Sequence, residues 1–173
     1  MKEFSLTHVS NEEDLVYLRS RLFDVNIRLL KESVRYKSLV QQAVDTISAA
    51  ALTNVDGYKL PHGMSGANLG IPWNIIAVVR NRGQVTAYAD VFINPKILQK
   101  SSKISSSKSN CGSVRLPEPI IVYRSEIVTL SWITIDGEEK TETFDRANGS
   151  FTIQHEVEHN LGILITDHSE GRS

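Results

Sequence analysis

A single cysteine, Cys111, stands in the whole chain of 173 residues, and that scarcity excludes an intramolecular disulfide. The one thiol must be buried as a small hydrophobe, reactive, or bound to a metal. No segment is apolar over the roughly 20 residues that a membrane-spanning helix needs, and Met1 to His8 contains no apolar run of the signal-peptide kind. These absences predict a cytoplasmic protein with no membrane partner. An excess of charge of one sign is lacking too. Lys and Arg number 19 against 20 Asp and Glu, and no basic cluster is dense enough to displace many counterions from a phosphate backbone. Direct nucleic-acid binding is not expected. Repeats and long linkers are absent, so residues 1–173 read as one domain, and a hydrophobic share of 40% gives it enough apolar surface to bury a core.

Residues 11–52 read mainly as helical. Asn11 or Ser10 can cap a first turn carrying Glu12, Glu13 and Asp14. Leu39, Val40, Ala43, Val44, Ile47 and Ala50 recur at helical spacing, which predicts a helix over 33–52 that ends before Asn54-Val55-Asp56-Gly57. A Gly-rich turn, Pro61 to Gly70, then feeds the apolar run Ile75 to Val79, a buried strand. Ala87 to Ile93 reads as the next strand, stopped by Asn94-Pro95, and the Ser- and Lys-rich stretch 100–110 as a mobile surface loop. Further strands are expected at 120–123, 126–135 and 139–144, the last two joined by a hairpin at Asp136-Gly137. Asn148 or Ser150 would cap a final helix whose apolar stripe is Ile153, Val157, Leu161 and Leu164. The fold class is α+β, with mostly antiparallel sheets packed around this C-terminal helix and an N-terminal helical segment.

That final helix carries Gln154-His155-Glu156-Val157-Glu158-His159. In an H-E-x-x-H run, residues four apart share one helical face, so both imidazoles can reach one cation while the Glu acts on a water whose pKa the metal has lowered. The third ligand decides the class. Gly162 fits the metzincin spacing, but Ile165 stands where that pattern needs a histidine. His168 lies too far along to replace it, and the short segment after it offers no second helix bearing a Glu. The search therefore turns upstream, to His8, His62, Cys111 and several carboxylates. Cys111 is favoured, since a thiolate is a strong ligand and Asn110, Gly112 and Ser113 suit a tight turn that presents it.

Three ordered motifs resemble those of the peptide deformylases, from about Leu39 onward. Gln154 to His159 with Gly162 is similar to the family's Q-H-E-x-D-H motif, and Ser109-Asn110-Cys111-Gly112-Ser113 to its E-G-C-L-S motif. Gly63-Met64-Ser65-Gly66-Ala67-Asn68-Leu69-Gly70 resembles its G-L-A-A-P-Q-x-G motif, and Phe92 to Ile97 its I-N-P segment. The resemblance implies one divalent metal ion held by Cys111, His155 and His159, Fe2+ as the native ion with Zn2+ or Ni2+ as substitutes. Water occupies the fourth position, Glu156 is the base, and the Asn68 amide and the Gly112 backbone N–H donate to the developing oxyanion. The implied substrates are N-formylmethionyl peptides and nascent chains, processed by a monomer in transient proximity to the ribosome. Departures cluster at the site: Asn68 stands for Gln, Ser109 for Glu, Asn110 for Gly, Gly112 for Leu and Glu158 for Asp. They suit a phage-encoded or otherwise divergent copy acting in its host's cytoplasm. A same-fold amidase with another acyl or peptide substrate and a non-catalytic metal- or peptide-binding relative are the rival readings. Met64, Ile71, Trp73 and Tyr88 are expected in the core, with a substrate pocket as the alternative.

Overall fold

The structure is a computed structural model and describes residues 6–53, 61–114 and 116–168. The turn expected at Asn54 to Gly57 lies outside them. Three helices open the chain, α1 (Glu12–Leu18), α2 (Ile27–Glu32) and α3 (Val34–Ala51). Each starts on a side-chain cap. Asn11 accepts from the amides of Glu13 and Asp14, Asn26 from Leu29 and Ser33 from Tyr36, which satisfies N–H groups that have no partner inside the helix. Ser33 also terminates α2, so the long helical reading of 11–52 is broken where one residue ends a helix and begins the next.

Among the described residues seven strands follow these helices: β1 (Gly63–Ser65), β2 (Ile75–Arg80), β3 (Tyr88–Lys100), β4 (Ile104–Ser109), β5 (Ile120–Ser125), β6 (Val128–Ile133) and β7 (Glu139–Phe144). The last helix is α4 (Ser150–Asn160), and 3-10 turns lie at Ala67–Leu69 and Ile165–His168. An antiparallel five-stranded sheet runs β1-β2-β3-β6-β7, and β4 pairs with β5 in a separate two-stranded sheet. Strand β2 shows why its sequence is a continuous apolar run. Ile75 and Ala77 face a core shared with Val40, Ala43 and Ile47 of α3, while Ile76 and Val78 face a second core with Ile153 and Val157 of α4. Successive side chains thus enter opposite layers, both closed by helices.

Two stretches depart from the sequence expectation. β3 does not stop at Asn94-Pro95. It continues to Lys100 through a register shift between Ile93 and Lys96, where a proline costs no ladder bond. Asn94 takes a positive φ of 50° there, and its side chain bonds both the N–H and the carbonyl of Val25. The Ser- and Lys-rich stretch holds strand β4, ordered by main-chain pairing of Ser109 with Ile120 through to Ile104 with Ser125. Its side chains alternate between half-buried and exposed, so hydrophobic pattern alone gives no sign of it.

Helix α4 begins without a side-chain cap, because Gly149 occupies the cap position and Ser150 instead donates its hydroxyl to the Glu126 carbonyl. Asn148 does not cap it either; its amide bonds Asp145. At the other end Leu161 is exposed, while Ile153, Val157 and Leu164 of the expected stripe are buried. Gly162 closes the helix at φ 79°, with its N–H on His159 O and the N–H of Ile163 on Glu158 O, the paired bonds of a Schellman motif. A Cβ at 162 would collide with the Arg19 carbonyl. Gly162→Ala is therefore expected to lower stability by roughly 1–3 kcal/mol, read as a shift of the urea midpoint at unchanged slope.

Candidate metal centre

Helix α4 points His155 and His159 to one side, and a turn over residues 111–114, closed by Val114 N–H on Cys111 O, carries the cysteine to meet them. Cys111 Sγ lies 3.1 Å from His159 Nε2, which lies 3.2 Å from His155 Nε2. The three donor atoms fall within 4.8 Å of one another, and no other such group of His, Cys or carboxylate occurs among the described residues. His8 bonds Ser10 and stays apart, and His62 is an exposed residue of the cleft rim.

Electrostatics suit a cation here. Burial, then the neighbouring His159, holds His155 well below the usual imidazole range, and burial brings His159 down to about 4. Both rings are thus neutral at physiological pH, as metal ligation requires. Burial, with Glu156 adding to it, pushes the Cys111 thiol up to about 12. A cation beside the sulfur reverses that, since coordination removes the thiol proton. Glu156 is buried, its Oε2 has no hydrogen-bond partner among the described residues, and burial raises its pKa to about 8. A thiol, two neutral imidazoles and an unpartnered carboxyl gathered at one point fit a single borderline-soft divalent ion.

Glycine at 63 brings Glu156 close to β1. A Cβ there would meet Glu156 Cγ at 2.9 Å and Thr152 Cγ2 at 2.6 Å, so any side chain would push the strand off α4. Asn68, Cys111, Gly112, His155, Glu156 and His159 all line one cleft of about 530 Å3. Asn68 is buried and well occupied. Its Oδ1 accepts from Ser65 N and Ser65 Oγ, and its Nδ2 donates to Ser113 Oγ at 3.0 Å, which leaves one N–H of the amide. Met64 lines the same cleft, Ile71 and Trp73 pack against the core, and Tyr88, expected in the core, is 51% exposed at the start of β3.

Several residues that hold the helix carry no recognisable pattern of their own. Arg124 of β5, its side chain only 4% exposed, forms a bidentate pair with Glu158, both contacts at 2.7 Å, and His168 reaches the same carboxylate at 2.9 Å. Burial pushes the Glu158 carboxyl up, but the bonds from His168 and Arg124 outweigh it and leave the group below the ordinary range. Gln154 ties α4 to β5 through Ser125 N and O, and Asn160 ties it to Asn74 and Ile75.

An H-E-x-x-H helix set against antiparallel strands, with a cysteine delivered from a separate turn, defines a hydrolase class with a Cys/His/His centre. The chain belongs to the polypeptide deformylase family, whose profile matches residues 15–173. It is 33% identical over 143 residues to a peptide deformylase of Nitrobacter hamburgensis, covering 75% of this chain and 79% of the relative. A Rhodopseudomonas palustris peptide deformylase is 30% identical over 141 residues, covering 75% and 78%. Its fold matches that of the actinonin-bound class I type b peptide deformylase from Acinetobacter baumannii, with a TM-score of 0.76 at 24% identity over 97% of this chain and 99% of that one.

Proposed function

We propose that this protein is a metal-dependent hydrolase that removes the formyl group from the N-terminal formylmethionine of newly made polypeptides. The observation that carries the reading is the convergence of Cys111 Sγ, His155 Nε2 and His159 Nε2 beside the buried Glu156, in a chain of this family. A divalent ion held by the three supplies Lewis acidity and lowers the pKa of a water at the site. Glu156 takes a proton from the attacking water as its oxygen bonds to the formyl carbon. The same carboxyl then gives that proton to the amine as the carbon–nitrogen bond breaks, releasing formate and a free methionyl terminus. The Gly112 N–H and the remaining Asn68 N–H are the donors for the developing oxyanion.

Two sheet edges border the cleft. Among the described residues β1 pairs only with β2 and β4 only with β5, so each offers an unpaired main-chain edge to an extended peptide, and Gly63, Met64, Ser107 and Ser109 of these strands line the cleft. Formate release from formyl-Met-Ala-Ser, assayed anaerobically, is expected to vanish after chelation and to return on adding Fe2+, Ni2+ or Zn2+. Cys111→Ala is expected to weaken metal affinity at least about 100-fold, measured by competition with a chromogenic chelator. Unchanged affinity would remove the thiolate from the ligand set, and release of acetate in preference to formate would favour an amidase.

A further inference from the structure

The glycine that follows Cys111 leaves a space, and a side chain from the opening segment occupies it. A Cβ built on Gly112 would stand 2.8 Å from Leu6 Cδ1, and among the described residues outside its chain neighbours no other heavy atom comes within 4 Å. Carbon atoms pack at about 3.5–4.0 Å, so Leu6 as it stands and a side chain at 112 exclude one another. Both positions line the cleft that contains Cys111, His155 and Glu156.

Leu6 is held in place by its neighbours. The Thr7 N–H donates to Asn68 O at 2.9 Å, Thr7 Oγ1 donates to Ala67 O at 2.6 Å, and the Val9 N–H donates to Ser113 O at 3.0 Å. The segment 7–9 thereby bonds to both loops of the centre, the one bearing Asn68 and the one bearing Cys111. Gly112 directly follows a ligand, so an apolar group over it borders the reacting end of the cleft. Met64, Pro119 and Phe151 supply further apolar lining.

We propose that Leu6 is a specificity-determining residue: its isobutyl group takes the volume of the side chain missing at Gly112 and forms one wall of the pocket that receives the side chain of the formylated residue. The inference rests on the formyl-hydrolase reading. An apolar wall at this point favours a long unbranched apolar side chain such as that of methionine and limits the bulk admitted beside it.

The test uses the full chain loaded with Ni2+, in wild type, Leu6→Ala, Leu6→Met, Gly112→Leu and the Leu6→Ala/Gly112→Leu double variant. Three quantities are read: KM and kcat for formyl-Met-Ala-Ser and formyl-Phe-Ala-Ser, and the Kd of the unformylated product Met-Ala-Ser by calorimetry. Leu6→Ala is expected to raise KM and Kd roughly tenfold with kcat little changed, and to narrow the preference for formyl-Met over formyl-Phe peptides. Leu6→Met, which conserves volume, should keep both values within about threefold of wild type. The double variant should recover most of the loss, because the new leucine enters the space Leu6 has left. A Leu6→Ala protein that binds Met-Ala-Ser as tightly as wild type overturns the proposal, as does a double variant weaker than Leu6→Ala alone. Wild-type protein that releases no formate but shows these binding changes would sink the hydrolase reading and leave the pocket wall standing.

Discussion

Glu156→Gln is expected to lower kcat for formate release by about 10²–10⁴-fold while leaving metal content and the Kd for Met-Ala-Ser close to wild type. Glutamine keeps the shape but cannot take a proton from water or return one to the amine. Because Glu156 Oε2 makes no hydrogen bond among the described residues, the loss should fall on kcat rather than on folding. Activity that persists in the glutamine protein would remove Glu156 from the mechanism. The same residue makes a second, opposite mark on the metal-free protein. Burial raises its pKa from 4.5 to about 8, so the folded state binds a proton that the unfolded chain releases. Its contribution is complete below about 4.5 and is lost as pH rises through about 8, since the unfolded state binds fewer protons across that window. Metal-free Glu156→Gln should therefore lose less stability than wild type between pH 5 and pH 8, read from urea midpoints.

Removing the guanidinium of Arg124 should cost more stability than any surface change. Arg124→Met leaves Glu158 with its charge, 15% exposed and deprived of its bidentate partner, a situation that costs about 3–5 kcal/mol. His168 also contacts that carboxylate, at 2.9 Å, and keeps one hydrogen bond on it when the guanidinium is gone. The charge-free double variant Arg124→Met/Glu158→Leu is expected to regain most of the stability, because it strands no buried ion. Equal losses in the single and double variants would show that the pair acts through packing alone. Metal affinity should fall with Arg124→Met as well, since Glu158 lies between the two histidines in sequence and its pairing fixes the helix that presents them.

Much of this arrangement is legible in the chain because its signals are local. The spacing of Val40, Ala43, Ile47 and Ala50 gives α3, the two-faced run Ile75 to Val79 gives a buried strand, and four-residue spacing places His155 and His159 on one face. Thiolate chemistry and the turn-forming residues around it favour Cys111 among several upstream candidates, the family resemblance implies it, and in the structure its sulfur and the two imidazoles lie within 4.8 Å of one another. What escapes is non-local. β4 is ordered by its backbone pairing with β5, which a serine-rich pattern does not announce, and β3 passes Asn94-Pro95 through a register shift at which the Asn94 side chain bonds the distant Val25. Arg124 resembles any strand arginine until Glu158 lies opposite it. The role of Leu6 depends on a glycine far along the chain, so no window of sequence contains both halves of the contact.

The three donor atoms come from parts of the molecule with different supports. Cys111 sits in a core with Leu18, Val122 and Ile165, whereas the helix bearing the histidines is backed by Ile76, Phe92 and Leu130 of the large sheet. An ion held between them, as proposed above, would act as a removable rivet across that seam and would close the long stretch of chain separating residue 111 from residue 155. At a free concentration of 100 times its Kd, such a ligand adds about 2.7 kcal/mol to the folded state. If the proposed ion is held there, its supply would govern how long each molecule survives proteolysis as well as whether it turns over, and starvation for the ion would thin the population instead of storing it idle.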